Sequence, residues 1–373
     1  MFPVPRPVRL LALLLCALLA GCAEQAPPDG GAGREVREAV AAWSRQPPAA
    51  LAGIPLEDWS YEVTDVPRAV GAQGGRVPAR LRYRLQGYDA APVEARRSVE
   101  VRRVGDRYEV LGDRPAEHAP PQLWDQGPVE TVKGEHSLVL GTGRPAGELA
   151  RVAGEADRAV PAASAAWPRA WARRVVVLVP ASLDAMASLL GRPAAEYRGL
   201  GAVTTGSTGG GPAPADRVVI NPEGYAELSE AGRGIVLTHE VTHVATRAAT
   251  SASTPQWLSE GFADWAAYRG SATTAARAAP ALARAVRRGE VPAELPREAD
   301  FAFGGDQDTL ARAYEGAWLA CRLVADRWGD EALVRLYEHA GRESLPAALD
   351  RTLGVDEAAL TRDWRAALRE ELR

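Results

Sequence analysis

A pentapeptide in the second half of the chain constrains the fold more than any other feature. Residues 239–243 are His-Glu-Val-Thr-His, and the apolar side chains around them recur at helical spacing. On a helix, His239 and His243 project from one face, so both rings can hold one metal ion. Glu240 follows about 100° around the helix, beside that ion. The alternative is an ordinary amphipathic helix with two satisfied histidines.

A catalytic zinc site needs a third protein ligand and one open position. One solution, His-x-x-Gly-x-x-His continuing from the second histidine, is absent, because Thr246 and Ala249 stand where its glycine and last histidine belong. A second helical stretch, residues 257–265, places Glu260 seventeen positions after His243. Taken alone, Glu260 is as easily explained as a solvated charge on a helix.

Together the two stretches resemble the gluzincin pattern of peptidase MA-like zinc metallopeptidases. In that pattern, the glutamate of the second helix is the third ligand, and an aspartate four residues on is hydrogen-bonded to a ligand histidine. The resemblance implies that Glu260 binds Zn²⁺ and that Asp264 orients an imidazole. It also implies that Glu240 acts as general base on zinc-bound water, in the hydrolysis of peptide bonds. The match covers roughly residues 135–345.

Tyr314 is a further candidate catalytic residue. The segment around it, residues 313–318, resembles the place where peptidase MA-like sequences carry a tyrosine that stabilises the oxyanion of the tetrahedral intermediate. Packing in the core is an equally natural expectation, because Leu310, Ala317 and Cys321 form an apolar helical stripe close to Tyr314. Both interpretations stay open at this stage.

The first 22 residues predict export and a lipid anchor. Arg6 and Arg9 precede an apolar run that is too short to span a bilayer, as in a secretory signal peptide. The run ends in Leu-Ala-Gly-Cys at residues 19–22, which resembles the bacterial lipobox. This resemblance implies that Cys22 is lipidated and anchors the protein to the cell membrane outside the cytoplasm. The alternative is an ordinary signal peptide with a chance cysteine.

Shifts of composition predict the domain organisation. We expect a signal peptide (1–21), a lipidated cysteine with a flexible tether (22–34), a small domain (35–118), a linker (119–134) and a zincin-like metallopeptidase domain (135–373). The small domain is predicted to be α+β and cystatin-like, because one helix precedes strands with period-two alternation. The large domain is predicted to be α+β as well, with a mixed sheet, the active-site helix and a helical C-terminal lobe.

One short strand and the loop after it are predicted to serve the substrate. Residues 202–205 form a predicted strand that can pair with an extended peptide by strand addition. Residues 206–216 are rich in glycine and proline, which predicts a mobile loop able to close over the cleft.

Net charge and cysteine content limit the classes of partner and the covalent links that we expect. The net charge is −4 and no basic stripe is present, which argues against nucleic acid. Cys16 leaves with the signal peptide and Cys22 would carry lipid, so only Cys321 remains in the folded part and no disulfide is possible within one mature chain. The expected partners are a peptide or protein substrate and the membrane.

The main alternative to a peptidase is an inactive zincin-like lipoprotein that serves as a binding or scaffold module. In a second rival, residues 35–118 are the functional part.

Overall fold

The computed structural model describes residues 31–373, except for 71–72, 207–212 and 303–304. The predicted signal peptide, the predicted lipidation site Cys22, most of the predicted tether and the centre of the predicted loop 206–216 lie outside the described residues. Within them, no helix has both the length and the apolar composition to cross a bilayer.

The N-terminal unit is a helix packed on an antiparallel sheet, as predicted. Its elements are α1 (Gly31–Trp43), β1 (Leu56–Val63), β2 (Gly74–Leu85), β3 (Val93–Val104) and β4 (Arg107–Pro115), with the strands side by side in chain order. Helix α1 buries Val36 and Val40 against one face of the sheet. It includes residues 31–34 of the predicted tether (22–34), and Gly33 faces the core with Val36 and Val40.

The second sheet is mixed, as predicted. Its strands are β5 (Val129–Lys133), β6 (Ser137–Thr142), β7 (Val175–Val179), β8 (Ala202–Thr205) and β9 (Arg217–Ile220), and its spatial order is β5-β6-β7-β9-β8. The three inner strands are parallel, and the two edge strands are antiparallel to their neighbours. The predicted linker (119–134) therefore contains edge strand β5. Its five residues follow a proline-rich stretch, and only the pairing with β6 makes them a strand.

Helices cover this sheet and form the rest of the chain. The first three are α2 (Ala146–Ala166), α3 (Leu183–Leu190) and α4 (Pro222–Glu227). The others are α5 (Glu230–Thr246), α6 (Gln256–Tyr268), α7 (Ala275–Ala278), α8 (Pro280–Arg287), α9 (Gln307–Trp328), α10 (Asp330–Ala340), α11 (Leu345–Leu353) and α12 (Glu357–Glu371). Cys321 is fully buried in this helical lobe, which confirms it as a core residue.

Alternation along the inner strands divides the apolar residues between two cores. Val139, Val177 and Ile220 face helices α2 and α5. Leu138 and Val176 point to the opposite face, where they pack against apolar residues of the N-terminal unit. Both faces of the sheet are thus covered, and the N-terminal unit packs directly against the part that carries the histidines.

Candidate metal centre

Helix α5 brings the two predicted histidine ligands together. The helix begins after Ser229, whose hydroxyl oxygen accepts a hydrogen bond from the Gly232 amide at 3.1 Å. Three turns later, the Nε2 atoms of His239 and His243 lie 3.0 Å apart. Both rings therefore aim one nitrogen at the same point beside the helix.

Helix α6 supplies the third group. Glu260 Oε2 lies 3.3 Å from His239 Nε2 and 3.3 Å from His243 Nε2. Among the described residues, these three side chains are the group that could hold a metal ion. Ligands about 2.0–2.1 Å from zinc in a tetrahedral site are about 3.3 Å apart, so the triangle has the size that zinc requires. The donor set of two imidazoles and one carboxylate, with a fourth direction left open, fits a catalytic zinc site.

A glycine lets the helices that frame this site approach closely. A Cβ atom at Gly261 would lie 2.2 Å from the carbonyl oxygen of Ala317 in α9, so only glycine fits where α6 crosses α9. The crossing places Tyr314, one turn before Ala317, beside the metal centre, with its ring 6.3 Å from the His239 ring.

Asp264 lies behind the ring of His239, on the side away from Glu260 and His243 Nε2. Its Oδ1 is 2.8 Å from His239 Nδ1. When Nδ1 carries the proton, it donates a hydrogen bond to this carboxylate. This tautomer of His239 leaves the Nε2 lone pair free for a metal ion. Because Asp264 follows Glu260 by one helical turn, a single helix supplies both carboxylates.

The electrostatics of the cluster favour a cation at its centre. Burial opposes protonation of the His239 ring, but the Asp264 and Glu260 carboxylates outweigh burial and hold the pKa of His239 well above its usual range. Burial alone would raise the pKa of Glu260, yet His243 and His239 hold it well below its usual range. The carboxylates thus favour positive charge where the three ligand atoms converge.

The structure reveals a partner of Glu240 that the sequence did not indicate. Glu240 is buried, and its Oε2 accepts a hydrogen bond of 2.6 Å from the hydroxyl of Thr204, on edge strand β8. This bond fixes one carboxylate oxygen and leaves the other for a reacting group. A threonine in a short strand carries no signal of such a role, because its partner lies 36 residues away in the chain.

We expect Thr204→Val to lower kcat by about ten- to hundredfold with zinc content unchanged. Valine suits a strand but cannot donate, and a hydrogen bond to a charged group contributes about 1.5–3 kcal/mol. Thr204→Ser is the matched control, because it keeps the hydroxyl and is expected to stay close to wild type. Steady-state kinetics and metal analysis check both variants. Equal kcat values for the valine and wild-type proteins would rule out this role of Thr204.

Tyr314 has one side in the core and one in the cleft. Its ring packs edge-on against Phe301 at 5.4 Å and contacts the helical core, while the residue also lines the cleft with His239 and Glu260. Burial, together with the nearby carboxylates, raises the pKa of Tyr314 well above its usual range, so the hydroxyl keeps its proton. The packing and the catalytic interpretations are both compatible with this position.

The metal centre opens into a cleft of about 760 Å³ that strand β8 borders on one side. Strand β8 ends the sheet, and no described strand pairs with its outer edge. A second cavity of about 410 Å³ meets the cleft beside Tyr314, with apolar walls from Tyr268, Leu310 and Trp318. The carboxylate of Glu315 in this cavity is already engaged by the amides of residues 281 and 282.

Comparisons with known proteins give only distant likenesses. No protein-family profile and no curated protein matches the chain. Among solved structures, a mutant M1 zinc metallopeptidase from Deinococcus radiodurans is similar at 19% identity and a TM-score of 0.38, over 71% of this chain and 58% of that one. The same kind of mutant from that organism, bound to a Tyr-Ser-Ala substrate, gives 16% and 0.36 over 71% and 58%. A two-domain M1 mutant bound to L-arginine gives 15% and 0.36 over 73% and 58%.

The chain thus spans less than two thirds of the length of these structures. Likeness at this identity and TM-score does not establish an activity. We therefore infer function from the geometry of residues 239–264 and their surroundings.

Proposed function

We propose that this protein is a zinc-dependent peptidase that hydrolyses peptide bonds at the cell surface. The observation that carries the proposal is the triangle of His239 Nε2, His243 Nε2 and Glu260 Oε2, with sides of 3.0, 3.3 and 3.3 Å. Beside it lies the buried side chain of Glu240, which accepts a hydrogen bond from the hydroxyl of Thr204. Ligands and base in this arrangement suit metal-assisted hydrolysis.

Different side chains of the site are proposed to bind the metal ion, transfer the proton and stabilise the oxyanion. His239, His243 and Glu260 would hold the zinc ion, which when bound supplies Lewis acidity towards water and a carbonyl oxygen. The free oxygen of Glu240 accepts a proton from the attacking water and passes it to the leaving amine. The neutral hydroxyl of Tyr314, a residue that lines the cleft, would donate a hydrogen bond to the oxyanion that develops.

The cleft suits an extended polypeptide. The outer edge of β8 offers backbone amides and carbonyls for strand addition, which holds a peptide without selecting its sequence. The apolar cavity beside Tyr314 has room for a large apolar side chain next to the cleaved bond. Mapping of cleavage sites in a peptide library tests this: no enrichment of large apolar residues at any position would rule out the assignment.

The proposed site of action is the outer face of a membrane, with the lipid on Cys22 as the anchor. We expect Cys22→Ala to move the protein from the membrane fraction to the soluble fraction, because the lipid supplies the apolar area that partitions into the bilayer. Cys321→Ala is the matched control, since that buried thiol is inside the folded part. Fractionation of cells that express each variant is the measurement. Membrane retention of Cys22→Ala would contradict the anchor.

The decisive test of the peptidase proposal is the Glu240→Gln protein, which should keep its zinc and lose its peptidase activity. The scaffold alternative, in which the zincin-like part binds without cleaving, becomes the better hypothesis if metal-loaded wild-type protein cleaves no member of a peptide library.

A further inference from the structure

The N-terminal unit is connected to the cleft through the tripeptide 215–217, which leads into β9. The side chains of Asp216 and Arg217 point to different neighbours, as successive side chains in an extended segment do. Ala215 and Arg217 contact Asp89 of the N-terminal unit, whereas Asp216 accepts a hydrogen bond of 2.7 Å from Arg247 Nε. Arg247 directly follows the last residue of α5, the helix that carries the histidines.

Asp89 is the central group of this contact. Its side chain is fully buried in the turn that follows β2. Its two oxygens accept two bonds from Arg217, at 2.8 and 2.9 Å, and one from the Ala215 amide at 2.8 Å. The amide of Leu85 donates a further bond of 2.7 Å. A carboxylate held by a guanidinium fork and two amides is fully satisfied and defines one geometry.

Arg217 continues this contact into the edge strand. It pairs with Thr205 across β8 and β9, and the next pair along the ladder contains Thr204. The hydroxyl of Thr204 in turn holds the carboxylate of Glu240. One ion pair, two strand positions and one hydrogen bond therefore connect Asp89 to the proposed general base.

The same tripeptide also contacts the C-terminal end of α5, through the ion pair between Asp216 and Arg247. Asp216 is buried, and Arg247 lines the cleft. A displacement of residues 215–217 would thus shift both the strand that lies beside the substrate and the end of α5. A further backbone bond, from the Ala91 amide to the Ala213 carbonyl at 3.2 Å, adds to the hold of the N-terminal unit on this segment.

We propose that Asp89 is a positioning residue for catalysis. Through Asp89, the N-terminal unit holds the β8–β9 edge and the end of α5 in the geometry that the cleft requires. The proposal rests on the proposed peptidase function for its kinetic consequence. Its structural consequence, a looser β8–β9 edge when the Asp89–Arg217 pair is removed, does not depend on peptidase activity.

Asp89→Asn tests the proposal, because asparagine keeps the shape of the side chain but loses the ion pair. We expect kcat to fall about ten- to hundredfold, since small displacements of reacting groups cost rates of this size. Zinc content is expected to stay at the wild-type value. Amide hydrogen exchange of residues 202–205 and 217–220 is expected to become about tenfold faster, as local opening of the edge becomes easier.

Asp113→Asn is the matched control. Asp113 holds the buried Arg97 of the same N-terminal unit, together with Asp125 from the segment that follows the unit, and no hydrogen bond joins Asp113 to residues 213–217. This variant also removes one carboxylate from a buried ion pair, so it reproduces a loss of stability without loosening the β8–β9 edge. Both variants are compared at a temperature where thermal unfolding shows each to be folded. If Asp89→Asn does not fold, Arg217→Lys is used in its place. Lysine keeps the positive charge but cannot make the two-point contact with the Asp89 carboxylate.

The outcomes separate the two levels of the hypothesis. Slower turnover and faster exchange at the edge in Asp89→Asn alone support the positioning role. Wild-type exchange at the edge in folded Asp89→Asn protein would overturn it, as would equal changes in Asp113→Asn. If the wild-type protein cleaves no peptide, the peptidase proposal fails by itself, and the exchange data still decide whether Asp89 holds the edge.

Discussion

The Glu240→Gln protein is expected to bind zinc as the wild type does and to lose peptidase activity by a factor of about 10²–10⁴, the usual contribution of a general base. Glutamine has nearly the same size, and its carbonyl oxygen can still accept the hydrogen bond from Thr204. It cannot take a proton from water at neutral pH. The metal ligands are untouched, so the loss should appear in kcat and not in metal content.

Initial rates on a cleaved library peptide, with zinc measured in the same samples, check this expectation. Glu155→Gln is the matched control, because Glu155 is also a buried glutamate but lies on α2, bonded to Arg233 and Tyr225. That variant should keep its turnover. Full activity in Glu240→Gln protein that still holds zinc would refute the proposed mechanism.

The second large effect is expected for Glu260→Ala, which removes one of the three proposed ligands. Wild-type protein purified without added metal should carry about one zinc per chain, because three protein ligands that converge on one point bind zinc tightly. In Glu260→Ala, zinc affinity should fall by more than about 100-fold, beyond the 10–100-fold typical of losing a group behind a ligand. Metal analysis and competition with a chelator measure both quantities.

Asp264→Asn provides the graded comparison for this experiment. It keeps all three ligands and changes only the group that holds His239 Nδ1, at 2.8 Å. Its zinc affinity should lie between those of the wild type and Glu260→Ala. Wild-type zinc content in Glu260→Ala would exclude Glu260 as a ligand. Absence of zinc from the wild type, even after zinc is supplied, would favour the binding-module hypothesis.

Features that depend on short separations in the chain were accessible from the sequence. The four-residue spacings of His239 and His243, and of Glu260 and Asp264, place each pair on one face of a helix wherever that helix lies. The order of one helix before several strands in the N-terminal unit, and the strand at residues 202–205, also agree with the prediction, because their apolar periodicity is local. The edge strand β5 was missed, since pairing with β6 and not its own sequence makes it a strand.

The sequence by itself determined which residues are chemically equipped for a metal site and on which local elements they stand. Tertiary structure alone decided that Glu260 meets both histidines at 3.3 Å, that Thr204 holds Glu240 and that Asp89 pairs with Arg217. The Asp89–Arg217 contact joins groups 128 residues apart. No local pattern encodes such a pair, because its geometry arises only when both sheets pack and bury the two charges together.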